Sequence, residues 1–513
     1  MVLFSDQQLA LGRIVARLNY TNPFGCERME LERQALGAEF EEEQHAYWAM
    51  MRGPGDSARG NVHRLTAHAL QLVEQARHSL AAGAVATEDE LAVYDDLVLY
   101  YLFYHFFAEW QKLHVGGDAR DLVQLWERFS RDFDHWMSLP GVRLPSAGDK
   151  SHIFAMLYQV FRAFFHIFDC VVGHSGPAAE LRSRIWQSIF TFDMRRFRRS
   201  LYRNLHEVTT LVTGPSGSGK ELVAQAIGRS RYIPFSTKTR QFAVSSNDAY
   251  IAVNVSAFSS NLIESELFGH AKGAYTGAEG NRAGWLETCG HYGTILLDEI
   301  GEMDPMTQVK LLRVLQNRQY QRMGESKVRL FHGKLIAATN RDLRSEANRG
   351  IFREDLYYRL CADVITTPSL SAHLNDNPAV LTDLIYFLAK RIAPGEDQQL
   401  AQQVLEWIER HLPEQYTWPG NIRELEQCVR NIMIHYDYQP ATEVVPIAVA
   451  LDQESWIQQM VGVQLTADEL LTHYAKLAYR RTGSYVQAAK LLGMDRRTVK
   501  ARCGSDGCSQ TME

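Results

Sequence analysis

The sequence predicts an α/β core, a parallel sheet with helices on both faces plus a helical lid, between an all-α N-terminal region and a small helical C-terminal end. Three observations carry this. Apolar runs (TLVTG, YIAVNV, GTILLDE, KLIAATN, ADVITT) alternate with helical stretches, the rhythm of parallel strands joined by crossovers. The first run opens onto a glycine loop and then a helix. The flanks lack the rhythm: long aromatic helical stretches come before it, and a basic stretch rich in small residues ends the chain.

At 513 residues the chain exceeds one core, so about three domains are expected. The N-terminal segment, 1–180, reads as helices such as DELAVYDDLVLYYLFYHFFAEWQKLH and DKSHIFAMLYQVFRAFFHIFDCVV. Its most membrane-like run, LVLYYLFYHFF, is flanked by Asp95, Asp96 and Glu109 and falls short of the ~20 residues a span needs, so a buried helix is expected and no membrane. No signal peptide is visible in MVLFSDQQLALGRIV. The seven cysteines form no C-x-x-C pair, which fits a reducing cytoplasm. Histidines 105, 114, 135, 152 and 166 sit among aromatics without ligand spacing and are expected to be core or surface residues. No receiver-like acidic pattern is present, so the region reads as a regulatory domain whose signal is not encoded in any motif.

The α/β core is expected over 181–436, with the lid at about 376–436. Its loop, Gly214-Pro215-Ser216-Gly217-Ser218-Gly219-Lys220, follows a strand and opens a helix. Backbone N–H groups of such a loop wrap phosphate oxygens, helped by the helix N-terminus, and Lys220 supplies a point charge for the β and γ phosphates. The next position is Glu221, where Ser or Thr would ordinarily ligate Mg²⁺. Asp298 and Glu299 end the strand in GTILLDEIGEM, the strand end where ligand chemistry sits in open α/β sheets. Asp298 can hold Mg²⁺ through water, and Glu299 can act as general base on the attacking water. This pair points to ATP hydrolysis.

A linker is expected at 437–465, a DNA-binding unit at 466–503 and a polar tail at 504–513. The net charge is −6, yet Leu471–Arg502 carries eight Lys and Arg against Asp495 alone, a local electrostatic footprint for DNA. Ala488 and Ala489 allow two helices to cross closely, and Gly493 makes the turn into a basic helix. Arg496, Arg497, Thr498, Lys500 and Arg502 are the candidates for DNA contact.

Taken together, ESELFGHAKGAYTGA, GPSGSGKE, LLDEIGEM, KLLRVLQ, AATNRDL, FREDLYYRL and WPGNIRELE resemble the central domain of bacterial enhancer-binding proteins, AAA+ ATPases that activate sigma-54 RNA polymerase. The match runs from about 200 to 436, and GKE at the P-loop is that family's habit. The resemblance implies that Asn254 is a switch bonding Glu299, and that Thr339 and Asn340 read phosphate state. It implies that Arg353 and Arg359 reach a neighbouring subunit's nucleotide in a ring, expected to be a hexamer when active and a dimer when inactive, and that Arg423 contacts nucleotide from the lid. It also implies that Gly273, Ala274, Tyr275, Thr276, Gly277 and Ala278 form the loop touching sigma-54, with tyrosine in place of the usual phenylalanine. The end domain resembles the Fis-type helix-turn-helix, which implies a double-stranded upstream DNA site.

Three stretches depart from the family pattern. RSRYIPFSTKTRQFAVSSNDAY is longer than usual and is expected to be a surface insertion; PSLSAHLNDNPAV and WLETCGHYGTILLDE differ beside the site. The intact Lys220, Asp298, Glu299 and arginine pair argue against a repressor that kept only the fold, and GAYTGA argues against a remodeller with another client.

Overall fold

The computed structural model describes residues 3–42, 60–246, 248–276, 278–413, 416–440, 465–482 and 484–503. The expected tail, Gly277 and most of the linker lie outside the described residues. The chain divides into two compact units, Met1–Tyr436 and Asp437–Glu513.

Helices build the first part of the larger unit: α1 (Asp6–Leu18), α2 (Cys26–Leu36), α3 (Gly60–Ala81), α4 (Glu88–His105), α5 (Phe107–Gly116), α6 (Ala119–Met137), α7 (Lys150–Cys170), α8 (Gly176–Phe190) and α9 (Met194–Arg199). Local chemistry fixes their starts. Ser5 with Gln8, Thr87 with Glu90 and Asp118 with Asp121 form capping boxes that satisfy the first backbone donors. Helix α7 is long and apolar enough to cross a membrane, but most of it is buried among the other helices. Residue 180, the expected domain boundary, falls inside α8.

The α/β part follows as β1 (Thr210–Thr213), α10 (Lys220–Arg229), the hairpin β2 (Phe235–Ser236) and β3 (Gln241–Phe242), β4 (Tyr250–Asn254) and α11 (Ser260–Phe268). Next come β5 (Gly269–His270), β6 (Arg282–Ala283), α12 (Trp285–Thr288), β7 (Thr294–Asp298), α13 (Pro305–Asn317), β8 (Gln319–Tyr320) and β9 (Arg329–Leu330). The core closes with β10 (Lys334–Thr339), α14 (Leu343–Asn348), α15 (Glu354–Leu360) and β11 (Asp363–Thr366). The lid is α16 (Leu370–Asp376), α17 (Val380–Ile392), α18 (Asp397–His411) and α19 (Asn421–His435).

Five strands form one parallel sheet in the order β11-β1-β10-β7-β4, so the loop after β1 and the acidic end of β7 flank β10 at the same edge. Strand alternation splits the core in two. Leu211, Ile295, Leu297, Leu335 and Ala337 face α11, α13 and α15. Val212, Leu296, Ile336, Ala338 and Ile365 face the other way, into a cluster shared with α10 and the N-terminal helices. The N-terminal helices therefore share a hydrophobic core with the P-loop face of the sheet.

This packing corrects the expected surface insertion. Part of that stretch forms the hairpin β2–β3, and Phe235, only 6% exposed, packs on Trp126 at 4.8 Å and Phe154 at 4.8 Å between ring centroids. Phe242 packs on Tyr158 at 5.2 Å. The segment packs on helices α6 and α7 of the same unit. The PSLSAHLNDNPAV stretch does the same on the lid. Ser175 Oγ lies 2.8 Å from His373 Nδ1, the Gly176 N–H donates to Asp376 at 2.7 Å, and Asn377 donates to the His174 carbonyl at 2.9 Å.

In the smaller unit, helices Ala467–Thr482, Tyr485–Leu492 and Arg496–Cys503 pack through Ala478, Ala488, Ala489 and Val499. Gly493, at φ 64°, makes the expected turn.

Candidate active site

The loop after β1 is shaped by two glycines that no other residue could replace. At Gly214 (φ 143°) an added Cβ would lie 2.1 Å from Thr367 Oγ1, and at Gly217 (φ 74°) it would lie 2.3 Å from the Gly420 carbonyl oxygen. Strand β11 and the lid thus press on the loop from two sides. Ser218 donates to the Pro215 carbonyl at 2.7 Å, and Gly219 leads into α10, which starts at Lys220. The Lys220 ammonium folds back over the loop and donates to the carbonyls of Gly214 at 3.1 Å and Pro215 at 3.0 Å. Burial pushes its pKa down, while Glu299 and Asp298 act in the opposite sense. All three charges therefore share one electrostatic site. Glu221, in the first turn of α10, is exposed.

Asp298 ends β7 in register with Asn254 at the end of β4. Glu299 follows with φ 53° and ψ 48°, a left-handed conformation uncommon for a residue with a side chain. The turn aims the chain off the sheet edge at the position expected to polarise water. Thr339 aligns with Thr213, so Asn340 comes level with Gly214, and it is exposed there. Thr339 itself is fully buried and accepts the Arg341 N–H at 3.0 Å. Asn254 is arranged otherwise than the resemblance implies: its carboxamide oxygen accepts from the Ser256 N–H at 3.0 Å and Ser256 Oγ at 2.7 Å. Among the described residues no hydrogen bond joins it to Glu299.

The lid reaches the loop through α19. Arg423 Nη1 donates to Ser216 Oγ at 3.0 Å, and the Ile422 N–H donates to the Gly217 carbonyl at 3.1 Å. Asn421 (φ 55°) donates to the Ser216 carbonyl at 2.9 Å and accepts the Leu370 N–H at 2.8 Å. Asn421 and Thr367 were not singled out in the sequence. The signal for Asn421 was the PGN turn before the helix, since asparagine tolerates left-handed backbone. Arg353 and Arg359 are not brought to the loop of their own chain. Both are exposed on or next to α15, and Arg353 forms a two-pronged pair with Asp355 at 3.0 and 2.8 Å.

The GAYTGA segment caps the β5–β6 hairpin. The Gly273 N–H donates to the Ala278 carbonyl at 2.9 Å, and the base is braced by the β8–β9 hairpin through the Ala271 N–H and the Met323 carbonyl at 2.9 Å. Ala278 is buried, whereas Tyr275 is 43% exposed with Thr276 exposed beside it. His270 meets the Tyr275 ring edge-on at 5.2 Å.

In the C-terminal unit Arg496, Arg497, Thr498 and Lys500 are exposed on the last helix. Arg502 is held within its own unit. It donates to Asp468 Oδ1 at 2.7 Å and to the Asp468 carbonyl at 3.0 Å, tying the last helix to the first.

Residues 193–366 match the family model described as the sigma-54 interaction domain. The chain is 38% identical over 304 residues to the transcriptional regulatory protein ZraR of Escherichia coli (strain K12), covering 58% of this chain and 63% of ZraR. It is 38% identical over 312 residues to the Nif-specific regulatory protein of Enterobacter agglomerans, covering 58% of this chain and 55% of that protein. The chain thus spans less than two thirds of the length of these curated relatives. Among solved structures, NtrX from Brucella abortus aligns over 79% of this chain and 84% of its own at 22% identity, with a TM-score of 0.38.

Proposed function

We propose, from the premise that this chain belongs through its sigma-54 interaction domain with the sigma-54-dependent enhancer-binding proteins of bacteria, that it is a cytoplasmic ATPase activating transcription by sigma-54 RNA polymerase. One observation carries the reading: a phosphate loop and the Asp298–Glu299 strand end share an edge of the sheet in a chain that also exposes Tyr275 and Thr276 on a braced hairpin. The loop N–H groups and Lys220 bind and orient the phosphates of ATP. Glu299 takes the proton of the attacking water. Oxygen donors suit Mg²⁺, and Asp298 beside Lys220 fits it; when bound, that ion neutralises charge on the β and γ phosphates.

Arg353 and Arg359, both exposed, suit a neighbour's nucleotide, which supports a ring, with a hexamer as the active form. Arg353 must then exchange Asp355 for phosphate. The exposed Arg496, Arg497, Thr498 and Lys500 would hold double-stranded DNA upstream of the promoter through a Fis-type helix-turn-helix. Hydrolysis would drive the GAYTGA hairpin against the holoenzyme and promote the open complex.

The test is transcription in vitro by sigma-54 holoenzyme with the full chain, with ATP or a non-hydrolysable analogue. Open complexes are expected with ATP alone, and Thr276→Ala should abolish them while hydrolysis continues. Open complexes formed equally with the analogue would refute the reading.

A further inference from the structure

Residues 367–369 join β11 to α16 and so connect the sheet to the lid. Hydrogen bonds tie both ends of this hinge to the phosphate loop. At one end Thr367, 1% exposed, donates to the Thr213 carbonyl at 3.1 Å, and its oxygen lies 2.6 Å from Ser218 Oγ. At the other end the Leu370 N–H donates at 2.8 Å to Asn421, whose carboxamide donates at 2.9 Å to the Ser216 carbonyl. Loop, hinge and lid are thereby closed into one ring of bonds. A lid that turns about the hinge must break the Asn421 bonds or carry the loop with it.

Asn421 suits this place. It is buried, and asparagine tolerates the left-handed backbone found there at φ 55°. Its amide nitrogen faces the carbonyls of Ser216 and, at 3.4 Å, Pro419, while its oxygen takes the Leu370 N–H, so donors and acceptors match. The neighbouring charges are engaged elsewhere: Glu424 accepts the Gly420 N–H at 2.7 Å, and Arg423 donates to Ser216 Oγ at 3.0 Å. The bond to Ser216 matters for what lies across the peptide. The Ser216 carbonyl and the Gly217 N–H share one planar trans peptide and point in opposite directions. Holding the carbonyl on the lid side therefore turns the N–H away from the lid. The next peptide shows where that leads. The Ile422 N–H holds the Gly217 carbonyl, and the Ser218 N–H points across the loop to the Pro215 carbonyl at 3.4 Å. Loop N–H groups turned inward are the ones that take phosphate oxygens.

We propose that Asn421 is a positioning residue, a latch across the hinge that sets the Ser216–Gly217 peptide for phosphate while the lid is packed on the loop. Nucleotide affinity and lid packing then rise and fall together, each changing the other by the same factor. The proposal rests on the nucleotide reading of the site.

The experiment is an equilibrium titration of the full chain with a fluorescent ADP. Asn421→Asp keeps the size, the backbone tolerance and the acceptor for Leu370, and sets an oxygen against the Ser216 carbonyl. At about pH 8 it should bind ADP roughly tenfold or more weakly than wild type. A buried carboxyl beside a carbonyl takes up a proton readily, and its O–H then donates to Ser216, so at about pH 5.5 the deficit should shrink to roughly threefold or less. Asn421→Gly keeps the backbone and has no proton to gain, so its deficit should be the same at both pH values. In ATP hydrolysis KM should rise in both variants while kcat stays within roughly threefold, because Lys220, Asp298 and Glu299 are untouched. ADP should slow amide exchange in α16 roughly fivefold or more in wild type, and far less in Asn421→Gly. An Asn421→Asp protein that binds ADP like wild type at the higher pH, or a deficit that pH leaves unaltered, would overturn the latch. Equal protection of α16 in wild type and Asn421→Gly would overturn the link to the lid. A wild type that binds no ADP would instead overturn the nucleotide reading itself, so the two failures are distinct.

Discussion

At its first turn helix α10 is held by the loop Gly214–Gly219, and at its last turn by two side chains of helix α7. The first arrangement is contiguous in sequence: strand, glycines, lysine and helix follow one another. The second joins residues 67 to 71 positions apart. Both ends exploit the same helix physics. Unpaired N–H groups at the start attract phosphate, and unpaired carbonyls at the end attract the Arg162 guanidinium. The difference lies in what each end can lose. The loop end is in part exposed, with Pro215 and Ser216 at the surface. The far end is buried, and Arg162 is 1% exposed there, so damage to it is paid in stability.

The largest expected effect lies at the chemical end. Glu299→Gln keeps the shape and removes the proposed base, so ATP turnover should fall by about 10²–10⁴-fold while ATP binding and melting temperature stay near wild type. A fall in melting temperature comparable to that of a core mutant would erase the contrast between the two ends. Arg162→Met is the converse. It leaves the carbonyls of Arg229 and Arg231 without their charged donor, and should cost roughly 2–4 kcal/mol in denaturant unfolding. Because those carbonyls end the P-loop helix, weaker ATP binding should accompany it. Unchanged unfolding would mean that the far end is held by apolar packing alone.

The same contrast explains what could be read in advance. The places of the P-loop, the DE strand end and the GAYTGA tip in the fold were legible because each is a short run beside a strand or turn that its own neighbours predict. Their context was legible too, since apolar runs of strand length predicted the sheet. The docking of the N-terminal helices was not. Phe235 and Phe242 look like loop residues until Trp126, Phe154 and Tyr158 are seen against them. His373 and Asp376 look like a diverged lid segment until Ser175 and Gly176 meet them. In each case the unusual stretch was visible, but the surface it packs on lay far along the chain. Arg502 shows the same limit in miniature: its charge suggested DNA, and its bond to Asp468 in another helix could not be read from the sequence.

A pH series sharpens the comparison, because the buried histidines lie on the docking side. Burial pushes the pKa of His373 down to about 4 and that of His166 to about 3. His373 has Arg182 lowering its pKa further and Asp376 opposing; His166 faces His114, Arg162 and Arg229, all of which lower it. Such a histidine is neutral in the fold while the unfolded chain already binds a proton near pH 6.5. Stability should therefore be full above about 6.5, and each should cost about 1.4 kcal/mol per pH unit as the pH falls toward its folded value. Unfolding free energies measured from pH 7.5 to 4.5 check this. His373→Gln should flatten part of the slope, and an unaltered slope would assign it to other groups.

The smallest effect tests whether the N-terminal helices grip the lid as well as the P-loop helix. Ser175 caps α8 by accepting the Ala178 N–H at 3.3 Å, and its hydroxyl also meets His373 on the lid. Ser175→Ala removes both, at about 1 kcal/mol for a lost cap. A cap alone would lower stability without touching the lid. If the Ser175–His373 contact also holds the lid, amide exchange in α16 should quicken together with that in α8. Exchange confined to α8 would leave the grip to Asp376 and Asn377, whose bonds to Gly176 and His174 this substitution spares.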